Sequence, residues 1–257
     1  MNNPDSGARS LGLGGASVCI TDLWSLSNNP AGLGFIKSTE AGTWYENRFL
    51  VQALQSTAFG IAVPSKHGSF GLLLSGFGYE SYSENTAGFA YSKALGKKLS
   101  GGVRLDYRRT SIAEGYGASN EIIATIGLLA RIQPTLYLGA ELYNPARTRL
   151  IPGKEERIPA LLKVGLMYML SPHVKLCLET QKNTITNPDF MFGIEYEPSS
   201  LFMFRAGITS LPSSCSMGAG LRYHNLKFDF ASVWQPATGF IPSIGLAYVF
   251  SKETVPH

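Results

Sequence analysis

Four histidines and three cysteines are the residues of this chain best suited to acid–base, nucleophilic or metal chemistry. None sits in a pattern that such chemistry needs. His67, His173 and His224 fall in or beside turns, and His257 lies in the tail. A Gly-x-Ser-x-Gly elbow, which would expose a nucleophilic serine, is absent. A membrane lipase would need a Ser/His pair on neighbouring strands near a rim, and these histidines do not supply one. No two of them have zinc-ligand spacing. Cys19, Cys177 and Cys215 also lack metal spacing; two of them could form a disulfide, but an odd count gives no framework. Gly12-Leu13-Gly14 has the glycines of a phosphate loop, yet no strand precedes it and no βαβ unit surrounds it. The chain therefore reads as a non-enzyme with no cofactor and no metal.

The charged residues follow a different rule. Arg104, Asp106 and Arg108 alternate with Val103, Leu105 and Tyr107. Arg131, Glu141, Lys163, Lys175, Glu179, Glu195, Arg205, Arg222, Lys227 and Asp229 alternate with apolar neighbours in the same way. A two-residue period places one set on one face of a strand and the other set on the opposite face. Segments such as Phe202–Ile208, Phe190–Tyr196, Leu162–Tyr168, Leu136–Leu142 and Ile122–Leu128 repeat the pattern. Trp44–Leu50 and Phe70–Tyr79 are β-like without a clear facing. The sum is roughly 14 strands of about ten residues, the length a tilted membrane strand needs.

A soluble sandwich or propeller could also alternate. Here one face carries full charges strand after strand and the other almost none, as a bilayer requires. Connector lengths also alternate. Gln133-Pro134, Ser171-Pro172, Glu197 to Ser200 and His224-Asn225 are tight; Thr110 to Ser119, Asn144 to Arg157 and Gln181 to Pro188 are longer. Short turns on one rim and longer loops on the other is the outer-membrane arrangement. An even strand number puts both termini on the short-turn, periplasmic rim. The longest loop, with Arg147, Arg149, Lys154, Glu155, Glu156 and Arg157, then faces outward as a solvated loop or a contact surface for a partner or lipopolysaccharide.

Composition agrees. Of 257 residues, 44% are hydrophobic and only 16% charged, against nearer a quarter charged in soluble domains. No run of about 18 apolar residues forms a transmembrane helix, and Met1 to Ser10 lacks the basic start and apolar run of a signal peptide. The net charge of +4 is scattered rather than massed, which gives nucleic-acid binding little support.

Two stretches carry resemblances. Ser243-Ile244-Gly245-Leu246-Ala247-Tyr248-Val249-Phe250 resembles the insertion signal on the last strand of bacterial outer-membrane barrels, with Ser243, Gly245, Tyr248 and Phe250 at its characteristic positions. Residues 1–37 break the strand pattern. Gly7-Ala8-Arg9-Ser10-Leu11-Gly12-Leu13-Gly14-Gly15-Ala16, then Asp22 at the start of a short polar stretch with helical character, then Asn29-Pro30-Ala31-Gly32-Leu33, resemble the opening segment of FadL-like outer-membrane barrels, above all their PorV/PorQ branch in Bacteroidota. The resemblance implies a 14-stranded barrel (38–250) with an N-terminal lumenal plug (1–37) and a C-terminal tail (251–257). Its plug residues are Gly7, Arg9, Gly12, Gly14, Gly15, Asp22, Asn29, Pro30 and Gly32.

The resemblance also implies two functions. The PorV/PorQ branch serves protein-export machinery as an accessory barrel, beside other barrels or surface lipoproteins. The FadL branch moves hydrophobic molecules. Mixed lumenal charge argues against an apolar passage. Short loops favour a compact interaction subunit of a secretion or assembly complex, in contact with outer-membrane lipid and lipopolysaccharide and not with nucleic acid.

Overall fold

The structure, a computed structural model, describes residues 6–113, 117–148 and 157–250. Fourteen antiparallel strands form a closed barrel in which each strand pairs with its sequence neighbours and the last pairs with the first. They are β1 (Thr39–Asn47), β2 (Gln55–Ser65), β3 (Gly68–Tyr79), β4 (Tyr82–Leu95), β5 (Leu99–Ile112), β6 (Gly117–Gln133) and β7 (Leu136–Tyr143). The second half comprises β8 (Leu161–Ser171), β9 (Val174–Asn183), β10 (Asp189–Tyr196), β11 (Phe202–Ser210), β12 (Ser213–Tyr223), β13 (Leu226–Gln235) and β14 (Gly239–Phe250).

Alternation makes this closure favourable. In β11, Phe202, Phe204, Ala206 and Ile208 are exposed on the outside, while Met203, Arg205 and Gly207 are buried within. Every strand keeps the same sense, so a single rolled sheet sorts these residues and has no edge strand. The charged residues Lys93, Arg109 and Lys182 on the outer face lie near strand ends.

Thr39 pairs with Phe250, so the first strand begins and the last one ends on one rim. That rim carries turns such as Lys66-His67, Pro134-Thr135, Pro172-His173 and His224-Asn225. The opposite rim departs from the expected run of longer loops. Thr110–Ser119 is mostly strand: Ser111 pairs with Ala118 and Ile112 with Gly117. Its own two-residue turns, Glu80-Ser81 and Leu211-Pro212, are as tight as any on the first rim. The strand signal over Trp44–Leu50 stops at Asn47, because Phe49 and Leu50 turn into positive φ. Connector 144–160 is long; its Arg149, Lys154, Glu155 and Glu156, like residues 1–5 and the tail 251–257, lie outside the described residues.

Before β1 the chain forms two short helices, α1 (Ala8–Gly12) and α2 (Ser25–Asn28), and a 3₁₀ segment, Pro30–Phe35. Helix α1 touches β11 to β14, and the 3₁₀ segment touches β2 to β6. Strands on opposite sides of the ring thus meet one segment lying between them. Its side chains supply the apolar core. Leu23, Trp24, Leu26 and Leu33 pack on Trp44, Ala58, Ala62 and Leu73, and Leu13, Val18, Cys19 and Ile20 pack on Leu129, Met167, Cys177 and Met191. The inner wall facing the first group is largely alanine, which leaves room for these larger inserted residues.

Candidate lumenal site

Where the segment's backbone comes closest to the wall, the wall is glycine. Besides Gly42 opposite Gly60, which faces the Leu26 side chain, three cross-strand pairs are glycine opposite glycine: Gly102 and Gly127, Gly139 and Gly165, and Gly193 and Gly207. Each pair seats one stretch of the segment's backbone. A Cβ on Gly102 would lie 2.5 Å from the Pro30 carbonyl carbon, one on Gly139 2.7 Å from the Val18 oxygen, and one on Gly193 2.6 Å from the Leu13 oxygen. On the segment side, Gly12 sits against Gly218, and Gly14, at φ 68°, lies against the Ile208 backbone. That φ favours glycine. Gly7 (φ 104°) abuts Trp24, Gly15 abuts the Met191 sulfur, and Gly32 abuts Ser25.

Polar anchors fix the seated backbone. Asn29 holds an extended backbone ahead of Pro30, and its Oδ1 accepts from the Ala31 amide at 3.1 Å. Its Nδ2 donates to the Val18 carbonyl at 2.7 Å and to the Leu128 carbonyl of β6 at 3.2 Å. One buried amide therefore ties two turns of the segment to the wall. Glu179 of β9 accepts the amides of Ser17 and Val18 through one oxygen, both at 2.8 Å. Ser100 of β5 donates to the Ala31 carbonyl, Thr209 of β11 to that of Gly14 (2.7 Å each), and Ser216 of β12 to that of Gly12 at 3.2 Å. Buried backbone groups outside a ladder need such partners.

Charge supplies the strongest ties. Glu195 of β10 accepts from Arg9 Nη2 at 2.6 Å, Arg9 Nε at 2.8 Å, Arg205 Nε at 2.7 Å and Lys175 Nζ at 3.0 Å. Arg9 also pairs with Asp22 at 3.2 Å, Lys175 with Glu197 at 2.5 Å, Arg205 with Asp229 at 2.5 Å and Lys227 with Glu40 at 2.9 Å. Burial works against the Arg9 cation, but Glu195 and Asp22 outweigh it and hold its pKa well above the ordinary arginine value. Across the lumen, Arg104 pairs with Asp106 at 2.8 Å and donates to the Leu26 carbonyl. Arg108 donates to Tyr143 at 2.9 Å and faces Glu84 and Glu121. Lys163 lies 3.8 Å from Glu141. Arg131 and Arg222 are exposed, Arg131 stacking over Phe35 and Tyr137 and Arg222 reaching the Met203 sulfur.

The sequence pattern did not reveal several participants. Glu40, Glu46, Glu84 and Glu121 all point inward, and Trp44 donates to Ser243 at 2.7 Å while packing beside Trp24. Ser243 is thus buried, Gly245 passes near Ala8, and Tyr248 and Phe250 are exposed outside, ring against ring. The three cysteines are free, Cys19 and Cys177 buried and Cys215 exposed, so no disulfide joins them. Burial, with Glu179 nearby, pushes the Cys19 thiol up and keeps it protonated. His67, His173 and His224 occupy exposed short-rim turns, while His257 lies outside the described residues. Among the described residues, no cluster of histidine, cysteine, aspartate and glutamate is built to hold a metal.

The space left inside is small and divided. A polar cavity of about 100 Å³ lies among Arg9, Asp22, Arg205, Arg222 and Asp229. One of about 30 Å³ lies beside Arg104, Asp106 and Arg108. A wider vestibule of about 510 Å³ opens above Gly14 and Gly15, lined by Leu11, Met191, Val233 and Ile241 together with Glu46 and Arg48.

Comparison with known proteins places this architecture. No family model matches the chain, and no curated protein matches it in sequence. Solved structures match it closely in shape. The toluene transporter TodX of Pseudomonas putida superposes with a TM-score of 0.78 at 12% identity, over 98% of this chain and 100% of that one. A TodX deltaS2 mutant, described as a monoaromatic hydrocarbon channel, gives 0.71 at 13% identity over 97% and 98%. The outer membrane protein Omp33 of Acinetobacter baumannii gives 0.57 at 8% identity over 84% and 100%. The chain shares its fold with these barrels.

Two substitutions test the seating. Gly193→Val is expected to drive the segment off the wall, with a loss of about 1–3 kcal/mol from overpacking and new protease cuts within residues 6–36. Ala206→Val, facing outward, is expected to leave the digest unchanged. Glu195→Gln leaves two arginines partly uncompensated, and urea unfolding of the refolded barrel is expected to show a loss of about 3–5 kcal/mol.

Proposed function

We propose that this chain is an integral outer-membrane barrel of the FadL-like type, close to the PorV/PorQ branch, and that it serves as a non-enzymatic accessory subunit of a protein secretion or assembly complex. In this reading residues 1–37 are a fixed plug, both termini face the periplasm, and connector 144–160 faces outward toward partners. Those partners are other barrels or surface lipoproteins, set among outer-membrane lipid and lipopolysaccharide.

The observation that carries the reading is that the lumen is filled and tied. The segment is held to β10 by Glu195, to β9 by Glu179 and to β6 by Asn29. Two seams of the wall are paired throughout. β3 and β4 stay paired from Ser69–Ser92 to Tyr79–Tyr82, and β1 and β14 along their shared length. A barrel filled along its axis is better suited to holding a partner than to passing a solute. Membrane residence is supported by the exposed apolar outer face and by the absence of a free strand edge, which hydrocarbon would penalise.

A second reading, a passive transporter of small hydrophobic molecules, is favoured by the vestibule of about 510 Å³, a volume that suits a small ligand. The likeness to a toluene transporter also supports it. It requires the segment to move.

The two readings separate by experiment. Mild-detergent affinity purification from native outer membrane, followed by mass spectrometry, is expected to recover large barrels or lipoproteins in stoichiometric amount. Recovery of the barrel alone at monomer mass, together with toluene uptake into loaded vesicles, would favour the transporter. Membrane residence has its own test. Phe230→Arg, mid-strand on the outer face, is expected to cost about 2–4 kcal/mol in lipid vesicles, and Tyr223→Arg near the rim under about 1 kcal/mol.

A further inference from the structure

A wide concavity lies on the outside of the barrel. A trough of about 990 Å³ crosses β14 and β1 to β5. Its floor is made by small outward residues, Thr43, Thr57, Gly76 and Ala87, and its walls by large ones, among them Phe59 and Tyr107. Cross-strand register shows why it is continuous. Thr57 opposes Gly76 and Gly76 opposes Asn85, so short side chains lie side by side across β2 to β4, bordered by Phe59 and Leu74, which oppose each other one level away.

One end of the trough is charged. Arg109 lines it, points outward beside Asn85 and Asn120, and makes no ion pair among the described residues. Tyr107 occupies the Asn120 oxygen at 2.9 Å, which leaves the Asn120 amide nitrogen free to donate. Arg109 lies ten residues above Leu99, where β5 starts. At about 3.3 Å per residue and a tilt of about 40°, that is about 25 Å along the barrel axis, the height of the apolar band of a bacterial barrel. The guanidinium therefore stands at the headgroup level of the leaflet on the long-connector side, directly above a greasy trough.

We propose that this trough is a binding site for lipid A, with Arg109 and the two asparagine amides on a glucosamine phosphate and the acyl chains lying over Thr43, Thr57, Gly76 and Ala87. Charge selects the occupant: a neutral protein surface offers nothing to a cation at that height, whereas a phosphorylated glycolipid presents phosphate and several acyl chains together. The proposal rests on the outer-membrane reading.

Native mass spectrometry of the refolded barrel with added purified lipid A tests it. The folded state is verified first by heat-modifiable migration and insertion into vesicles, so a failure of the outer-membrane reading shows there and not in the lipid measurement. Wild-type barrel is expected to retain one lipid A. Arg109→Gln is expected to bind about tenfold more weakly, the loss of one charge-assisted contact. Gly76→Leu, whose Cβ would lie 3.3 Å from Asn85 Oδ1 and 3.5 Å from Thr57 Oγ1, is expected to fold and to lose the lipid by filling the trough. Equal retention in all three folded barrels would overturn the proposal. So would phosphatidylglycerol binding as tightly as lipid A, or a second copy of the chain covering the trough in place of lipid.

Discussion

Everything inside this barrel depends on one steric constraint: backbone must lie directly on backbone where the N-terminal segment crosses the wall. Side chains alone do not fill a ring of fourteen strands. The wall meets that gap with three glycine-on-glycine pairs, each admitting a stretch of the segment as if it were another layer of sheet. Once the backbone is that close, its polar groups are out of water and require partners, which Glu179, Asn29, Ser100, Thr209 and Ser216 supply. The ion pairs then follow. Arg9 is carried inward by the helix seated near Gly218, and Glu195 is the carboxylate waiting there.

Charge inside and hydrocarbon outside are two consequences of the same pleat. Because side chains alternate, a strand that exposes Phe202, Phe204 and Ile208 must turn Met203, Arg205 and Gly207 inward. Buried charges are costly unless paired. The interior balances its account locally, with Glu195 shared by two arginines and a lysine and with Arg104 facing its near neighbour Asp106. Such a lumen is a poor path for an apolar solute, and the two cavities enclosed beside its ion pairs are small and polar.

Much of the architecture was legible in the sequence because a period of two is unambiguous where one face is charged. Phe202–Ile208 and Val103–Tyr107 read correctly for that reason. Rims were harder. Thr110–Ser119 contains polar residues and two glycines and reads as a loop, yet Ser111 and Ala118 continue the ladder, since backbone pairing does not require apolar side chains. Trp44–Leu50 resisted a facing because its strand ends midway and Phe49 turns to positive φ. The site was only half visible. Gly139, Gly165, Gly193 and Gly207 could each be placed on the inner face, but their opposition in pairs depends on cross-strand register, which a single sequence does not reveal. Glu46 lay in the stretch without a clear facing, and Glu121 stands just ahead of the apolar face that begins at Ile122.

The account's central claim is that residues 6–36 are structurally part of the barrel. Hydrogen–deuterium exchange of the refolded protein in lipid nanodiscs tests this most directly. The account expects the amides of Ser17, Val18 and Ala31, each bonded to a buried side chain, to be protected as long as those of β10 and β11. Exchange of those three amides within seconds, with the strands still protected, would contradict it.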